Sequence, residues 1–241
     1  MKQVKNANKP IHDAEKLKKY ITAAKAWFET YEETDVSELK VSFSNGNRKI
    51  GHVLNVSVAP IFTCKNCMGC GCPGFCYDIT SCMVYPQVIP ARVRNTVLAM
   101  KHRDEYFRHI DDKMTRRRKN KYMRFHVGGD IPDYDYFCRM VEIAAKHPDF
   151  VIWTYTKSYA IVNQYCKEHG NSRKCIPSNF SIMFSEWLGY DIINPYDFPV
   201  FRTFKPGEKI DVYECPGNCE ICLAAGRGCC HSETSGVGLH Y

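Results

Sequence analysis

Apolar residues recur along this chain with two periods, and the switches between them predict the fold. Leu17, Ile21, Ala24, Trp27 and Phe28 stand at helical spacing with charges between them, so residues 13–34 are expected to form an outer helix. Residues 39–43 read as a short strand ended by a turn at Asn45-Gly46. In H-V-L-N-V-S-V-A-P (residues 52–60) the period becomes two. Leu54, Val56 and Val58 point one way, Asn55 and Ser57 the other. Residues 90–118 return to helical spacing, with a break expected near Arg103-Asp104. Residues 122–130 (Y-M-R-F-H-V-G-G-D) alternate again, setting Met123, Phe125 and Val127 against Tyr122, Arg124 and His126. A helix follows from Pro132-Asp133 to about Lys146, then a strand at 150–155, a helix at 159–169, and strands at 180–184 and 200–204.

Strands alternating with helices argue for βαβ units and a parallel sheet, hence an α/β fold. A doubly wound sheet reads apolar on both faces. The polar face made by Asn55, Ser57, Tyr122, Arg124 and His126 therefore needs an explanation. The polar lumen of an open or closed barrel supplies one, and an exposed face of an antiparallel sheet supplies another. The connections are long enough for right-handed crossovers, which favours the barrel. The expected organisation is a single barrel-like domain over residues 1–210, with a cysteine-rich, metal-binding tail over 211–241.

A hydrophobic content of 44% with 13% aromatics is ample for a core, and a net charge of +7 leans weakly towards anionic partners. The first residues carry no apolar leader, and no apolar run approaches the ~20 residues of a membrane helix. The expectation is a protein of the bacterial host cytoplasm with no membrane contact, where thiols stay reduced. That changes the meaning of the fourteen cysteines. Six lie in residues 63–82, at 64, 67, 70, 72, 76 and 82, with Gly69, Gly71 and Gly74 allowing tight reversals. Soft thiolates at such spacing select zinc or iron–sulfur clusters. Cys64, Cys67, Cys72 and Cys76 are taken as the principal ligands, with Cys70 competing for the place of Cys72. A second, separate site is expected from Cys215, Cys219, Cys222 and Cys229, with Cys230 or His231 able to replace Cys229; a [4Fe–4S] cluster or a tetrahedral zinc would suit it. Its C-x3-C-x2-C spacing is that of radical S-adenosylmethionine (SAM) enzymes, but there the motif follows the first barrel strand. Cys138, Cys166 and Cys175 read as buried structural thiols.

In α/β sheets and barrels functional groups collect at the carboxyl ends of strands. Here those ends deliver the cysteine loop, then His126 with Gly128, Gly129 and Asp130, then Thr154, Tyr155, Thr156 and Lys157, then Ser185 and Glu186, and Arg202. His126, Asp130, Tyr155 and Lys157 are the candidate catalytic residues, able to orient a substrate or move protons. Arg124, Gly128 and Gly129 are candidate contacts for a polar or anionic substrate. The basic run T-R-R-R-K-N-K (residues 115–121) is either a solvated helix end or a nucleic-acid contact.

The run from F-S-N-G through the cysteine loop to C-Y-D, then R-F-H-V-G-G-D and W-T-Y-T-K-S, resembles the phage- and plasmid-borne gene product 88 family. Members carry a cysteine loop ending in C-Y-A, an R-x-H-x-x-G-D strand end, a Y-T-K segment and a C-terminal cysteine group. The resemblance spans about Leu39 to Cys229. It implies a partial (β/α) barrel related to the radical-SAM barrel and an iron–sulfur centre, without a settled activity. SAM cleavage is not implied, because the cluster spacing does not follow the first strand. Three functions compete: an iron–sulfur protein of a phage or mobile element doing redox or radical chemistry on a nucleotide or nucleic acid, a zinc-bearing nucleic-acid-binding module without catalysis, and a phage effector that binds a host protein.

Overall fold

The computed structural model describes residues 10–48, 50–65, 71–187, 191–204 and 207–238. The chain opens with helix α1 (Ala14–Glu33), whose first turn is capped by the Asp13 carboxylate accepting from the Lys16 amide at 2.9 Å. Strands β1 (Phe43–Ser44) and β2 (Leu54–Val56) lead to α2 (Tyr77–Val84), α3 (Val88–Lys101) and α4 (Arg103–Thr115). Then come β3 (Tyr122–Phe125), α5 (Tyr134–Lys146), β4 (Val151–Thr156), α6 (Tyr159–Glu168), β5 (Phe180–Ser185) and β6 (Val200–Phe204). The last segment adds β7 (Tyr213–Glu214), α7 (Cys219–Ala225) and β8 (Ser235–Gly238). All eight strands join one sheet in the order β1-β2-β3-β4-β5-β6-β8-β7. Among the described residues, only β1 is antiparallel to its neighbour. The fold is mixed α/β around a largely parallel sheet, as the alternation of strand and helix periods predicts.

The two faces of the sheet are covered by different parts of the chain. Leu54, Val56, Met123, Phe125, Ile152 and Phe180 face the helices and share a core with Tyr20, Phe107 and Phe137. Val53 and Trp153 face the other way and pack against Cys222 and Cys230, flanked by Tyr122, Tyr155, Tyr213 and Cys219. The polar strand face is thus the one that the cysteine-rich segment covers. That segment is also built into the sheet: β8 runs parallel between β6 and β7, with Phe201 opposite Ser235 and Tyr213 opposite Ser235.

Several elements differ from the sequence expectation for local reasons. The strand expected at 39–43 begins only at Phe43, because the Asn95 side chain takes the peptide groups of Ser42, accepting from its amide at 2.7 Å and donating to its carbonyl at 2.9 Å. The long helix breaks at His102, one residue before the expected place. Helix α2 was not anticipated inside the cysteine loop. Strand β3 stops at Phe125, because His126 adopts φ +59 and turns its ring to the helix side. His126 and Arg124 therefore do not share a face. Among the described residues, no helix is long and apolar enough to cross a membrane.

Candidate functional site

The loops after β2 and β3 are clamped onto each other by short polar side chains. Ser57 Oγ accepts from the amides of Val127 (3.0 Å) and Gly128 (3.3 Å), and Thr63 Oγ1 accepts from the Asp130 amide (3.2 Å). The approach is so close that a Cβ at Gly128 would lie 1.7 Å from Asp78 Oδ2. At Gly129, with φ +81, it would lie 2.5 Å from Val58. Sequence reasoning gives the space at these glycines to a ligand, whereas the structure fills it with Asp78, Val58 and Thr63. Asp78 in turn holds Arg92 in a two-pronged pair, with Nε 3.2 Å from Oδ2 and Nη2 3.0 Å from Oδ1. Its side chain is 2% exposed.

Asp130 joins the ends of two strands. Oδ1 accepts from Thr156 Oγ1 at 2.6 Å and from the Ile131 amide at 2.7 Å, and Oδ2 accepts from the Lys157 amide at 2.9 Å. Burial raises its pKa and outweighs these hydrogen bonds, which lower it. The cap of α5 is Asp133, not Asp130. His126 lies 3.0 Å from the Tyr136 hydroxyl through Nε2, and Tyr136 continues to Tyr106 at 3.1 Å. Burial, helped by Arg124 and Arg92, lowers the His126 pKa to about 3, so the ring is neutral at physiological pH. Nδ1 is buried without a partner among the described residues. His126 and Asp130 are 3% and 7% exposed, and each is engaged by the protein's own groups.

The opposite face gathers the remaining candidates. The Arg124 guanidinium lies 4.6 Å from the Tyr155 ring centroid, and Nη2 donates to the Tyr77 hydroxyl at 3.4 Å. Its Nε is buried and makes no hydrogen bond among the described residues. Burial works against its charge, but Tyr77, Tyr155, Cys219 and Cys229 around it raise its pKa overall. Tyr155 donates to Cys229 Sγ at 2.6 Å. Ser181 fixes the same cysteine by donating to its carbonyl at 2.6 Å. Tyr77, which follows Cys76 directly, donates to the Val127 carbonyl; the residue is 55% exposed. Beside this group Lys157 Nζ donates to Ser185 Oγ at 3.2 Å and lies 5.4 Å from the Trp187 ring, which packs on Phe75 at 5.6 Å. Arg124 thus stands between the two cysteine segments, touching Tyr77 from the first and the Tyr155–Cys229 pair of the second.

The sulfurs themselves are neighbours and are not drawn together. Cys215, Cys219, Cys222 and Cys229 lie within electrostatic reach of one another, with Cys230 beside them. Burial pushes the Cys219 thiol up to about 12 and raises Cys222, Cys229 and Cys230, so they stand as neutral thiols. Cys76, with Cys72 near it, is pushed up by burial to about 11. Cys64 is half-buried. Cys67 and its competitor Cys70 lie outside the described residues. Among the described residues, no three His, Cys, Asp or Glu side chains stand together at metal-binding distance. The donor type suits zinc or an iron–sulfur cluster.

Sequence reasoning missed Tyr77, Tyr213 and Trp187. Tyr213 lies 3.7 Å from Cys222 Sγ through its hydroxyl. The available signal was position: Tyr77 adjoins a loop cysteine, and Tyr213 precedes Cys215 by two residues. No curated protein and no solved structure matches this sequence. The family described as Gene product 88 matches residues 13–187. The match begins earlier than the resemblance at Leu39 suggested, taking in α1, and ends before the second cysteine group. Covering more than half of the chain, it makes this protein a member of the Gene product 88 family.

Proposed function

We propose that this chain is a thiolate-ligated metalloprotein, an iron–sulfur protein whose centre lies on the face of a partial (β/α) barrel that the cysteine-rich segment covers. The observation that carries the reading is the position of Arg124 between Tyr77, next to Cys76, and the Tyr155–Cys229 pair. The strand order β2 to β6 runs in sequence order and parallel, with α3 to α6 sharing one core; this supports a singly wound, barrel-like sheet. Cys215, Cys219, Cys222 and Cys229 would hold one centre, and Cys64, Cys72 and Cys76 with Cys67 another.

Bound there, a cluster supplies one-electron redox chemistry. The chain's own residues do the rest. Arg124 offsets negative charge on the thiolates and on an anionic substrate, Lys157 extends that positive edge, and Tyr155 directs a hydrogen bond at Cys229. Ser185 holds the Lys157 ammonium in place, while Trp187 and Phe75 screen the site from water. A nucleotide or nucleic acid is the substrate class this edge favours. His126 and Asp130 fit a supporting role in this scheme, because His126 Nε2 and both Asp130 carboxylate oxygens are used by Tyr136, Thr156 and the Lys157 amide.

The test is anaerobic purification with iron, sulfide and zinc quantitation. The expected result is a brown protein absorbing near ~400 nm, as cysteine-ligated clusters do, with iron and sulfide falling in Cys219→Ser and Cys229→Ser. A colourless protein with stoichiometric zinc would replace the iron–sulfur reading with the zinc one, which the same donors allow. A protein purified without either metal would sink both.

A further inference from the structure

A groove of about 400 Å³ lies between the last turns of α4 and the segment entering β1, away from the cysteines. Lys40 lines one wall, Lys113 and Arg116 the other, and Val41 and Phe43 contribute apolar surface. We propose that this groove binds the sugar–phosphate backbone of a single-stranded nucleic acid, with Phe43 as a stacking surface. The binding is independent of the cysteine centre.

Four observations carry it. First, the positive charge exceeds what α4 needs. Cations in a last turn complement the helix carbonyls, but Lys113 is the only basic residue there. Lys40 comes from across the groove, and Arg118 and Lys119 lie exposed beyond the helix end. Second, the one carboxylate in the lining, Asp112, is answered from within the helix by Arg108 at 2.9 Å and Arg116 at 3.8 Å. Third, the walls are held apart by a fixed strut. Arg117 donates to Asn45 Oδ1 at 3.2 Å, to the His52 carbonyl at 2.8 Å and to the Asn120 carbonyl at 2.7 Å, so the groove does not depend on a ligand to form. Fourth, Phe43 is half-buried with Lys113 Nζ 5.7 Å from its ring. An aromatic ring beside exposed ammonium groups is the pairing by which bases stack while phosphates are neutralised. The run of cations continuing past the groove favours a polymer over a single phosphate, and the concave, ring-bearing shape favours a strand over a flat anionic membrane.

Binding of a fluorescein-labelled single-stranded DNA of about 20 nucleotides is followed by anisotropy across a salt series, since each neutralised phosphate contributes about 0.7 to the log–log salt slope. The paired substitution Lys113→Glu with Arg116→Glu is expected to weaken binding at least ten-fold and to lower that slope by about 1.4, two phosphates' worth. Metal content should stay unchanged, which separates failure here from failure of the cysteine-centre reading. Lys18→Glu with Lys25→Glu on α1 makes the same change in net charge and should leave binding near wild type. Phe43→Ala should weaken binding without changing the slope. An equal loss in the α1 variant would reduce the effect to net charge and overturn the proposal. So would absence of binding at low salt, or capture by anionic phosphatidylserine vesicles without capture of the oligonucleotide.

Discussion

The helix side and the cysteine side of the sheet use polar residues in opposite ways. On the helix side Asp78, His126 and Asp130 are buried and mostly occupied: Arg92 meets Asp78, Tyr136 meets His126 Nε2, and Thr156 with the Lys157 amide meets Asp130, leaving His126 Nδ1 without a partner among the described residues. On the cysteine side Arg124 keeps a buried Nε without a hydrogen bond among the described residues, Tyr77 is more than half exposed, and burial raises the pKa of Cys219, Cys222, Cys229 and Cys230. Buried polar groups cost stability unless they are paired. The helix side pairs nearly all of its buried polar groups and serves the fold, while the cysteine side keeps a cation and thiols with capacity for something else. The two faces should therefore respond to different measurements, stability on the first and bound metal on the second.

The largest effect expected lies on the helix side. His126 has a folded pKa of about 3, below its unfolded value. The stability it allows is fully present above about pH 6.5 and is lost as pH falls from there towards 3, because the unfolded chain takes the proton first. That window is worth about 5 kcal/mol at its acid end. Urea unfolding from pH 7 to pH 4 should show a falling stability in wild type and a flatter line in His126→Gln. Equal slopes would mean that His126 does not titrate as a buried, neutral ring. Next in size is Asp78→Ala, which leaves Arg92 buried and unpaired at a cost of about 3–5 kcal/mol. Thermal unfolding checks it, and metal content per folded molecule should stay the same. A loss of metal with unchanged melting would tie Asp78 to the site.

How much of this was legible depends on which residues carried the signal. The helical spacing in α5 and α6 follows side chains that sort by burial, so these helices and the strands β4 to β6 came out close to their observed limits, whereas β1 to β3 are shorter than the alternation suggests. The cysteines, the polar strand face and the family resemblance were also visible. Three features were not. The face of His126 depends on a single positive φ, and alternation carries no sign of it. Strand β8 reads S-G-V-G, which has neither β-propensity nor a clear period; it is a strand because β6 and β7 flank it. The glycines of V-G-G-D do mark a close approach, but only the tertiary fold decides that Asp78 and Val58 make it.

The smallest effect on stability, and the sharpest test of the cysteine side, is Tyr155→Phe. The substitution keeps the ring that lies against Arg124 and Phe201 and removes only the hydroxyl that donates to Cys229 Sγ. Sulfur is a weak acceptor, so the cost to folding should be about 0.5–1 kcal/mol, the range of one ordinary hydrogen bond. On a metal-bound thiolate the same hydrogen bond tunes the centre, since donors to ligand sulfurs shift its potential and spectrum. The expected outcome is a melting temperature within a few degrees of wild type, retained metal, and a displaced visible absorption or reduction potential. If the variant instead loses several kcal/mol of stability while its metal spectrum stays put, Tyr155 belongs with His126 and Asp130 among residues that hold the fold. The two faces would then differ in position and not in purpose.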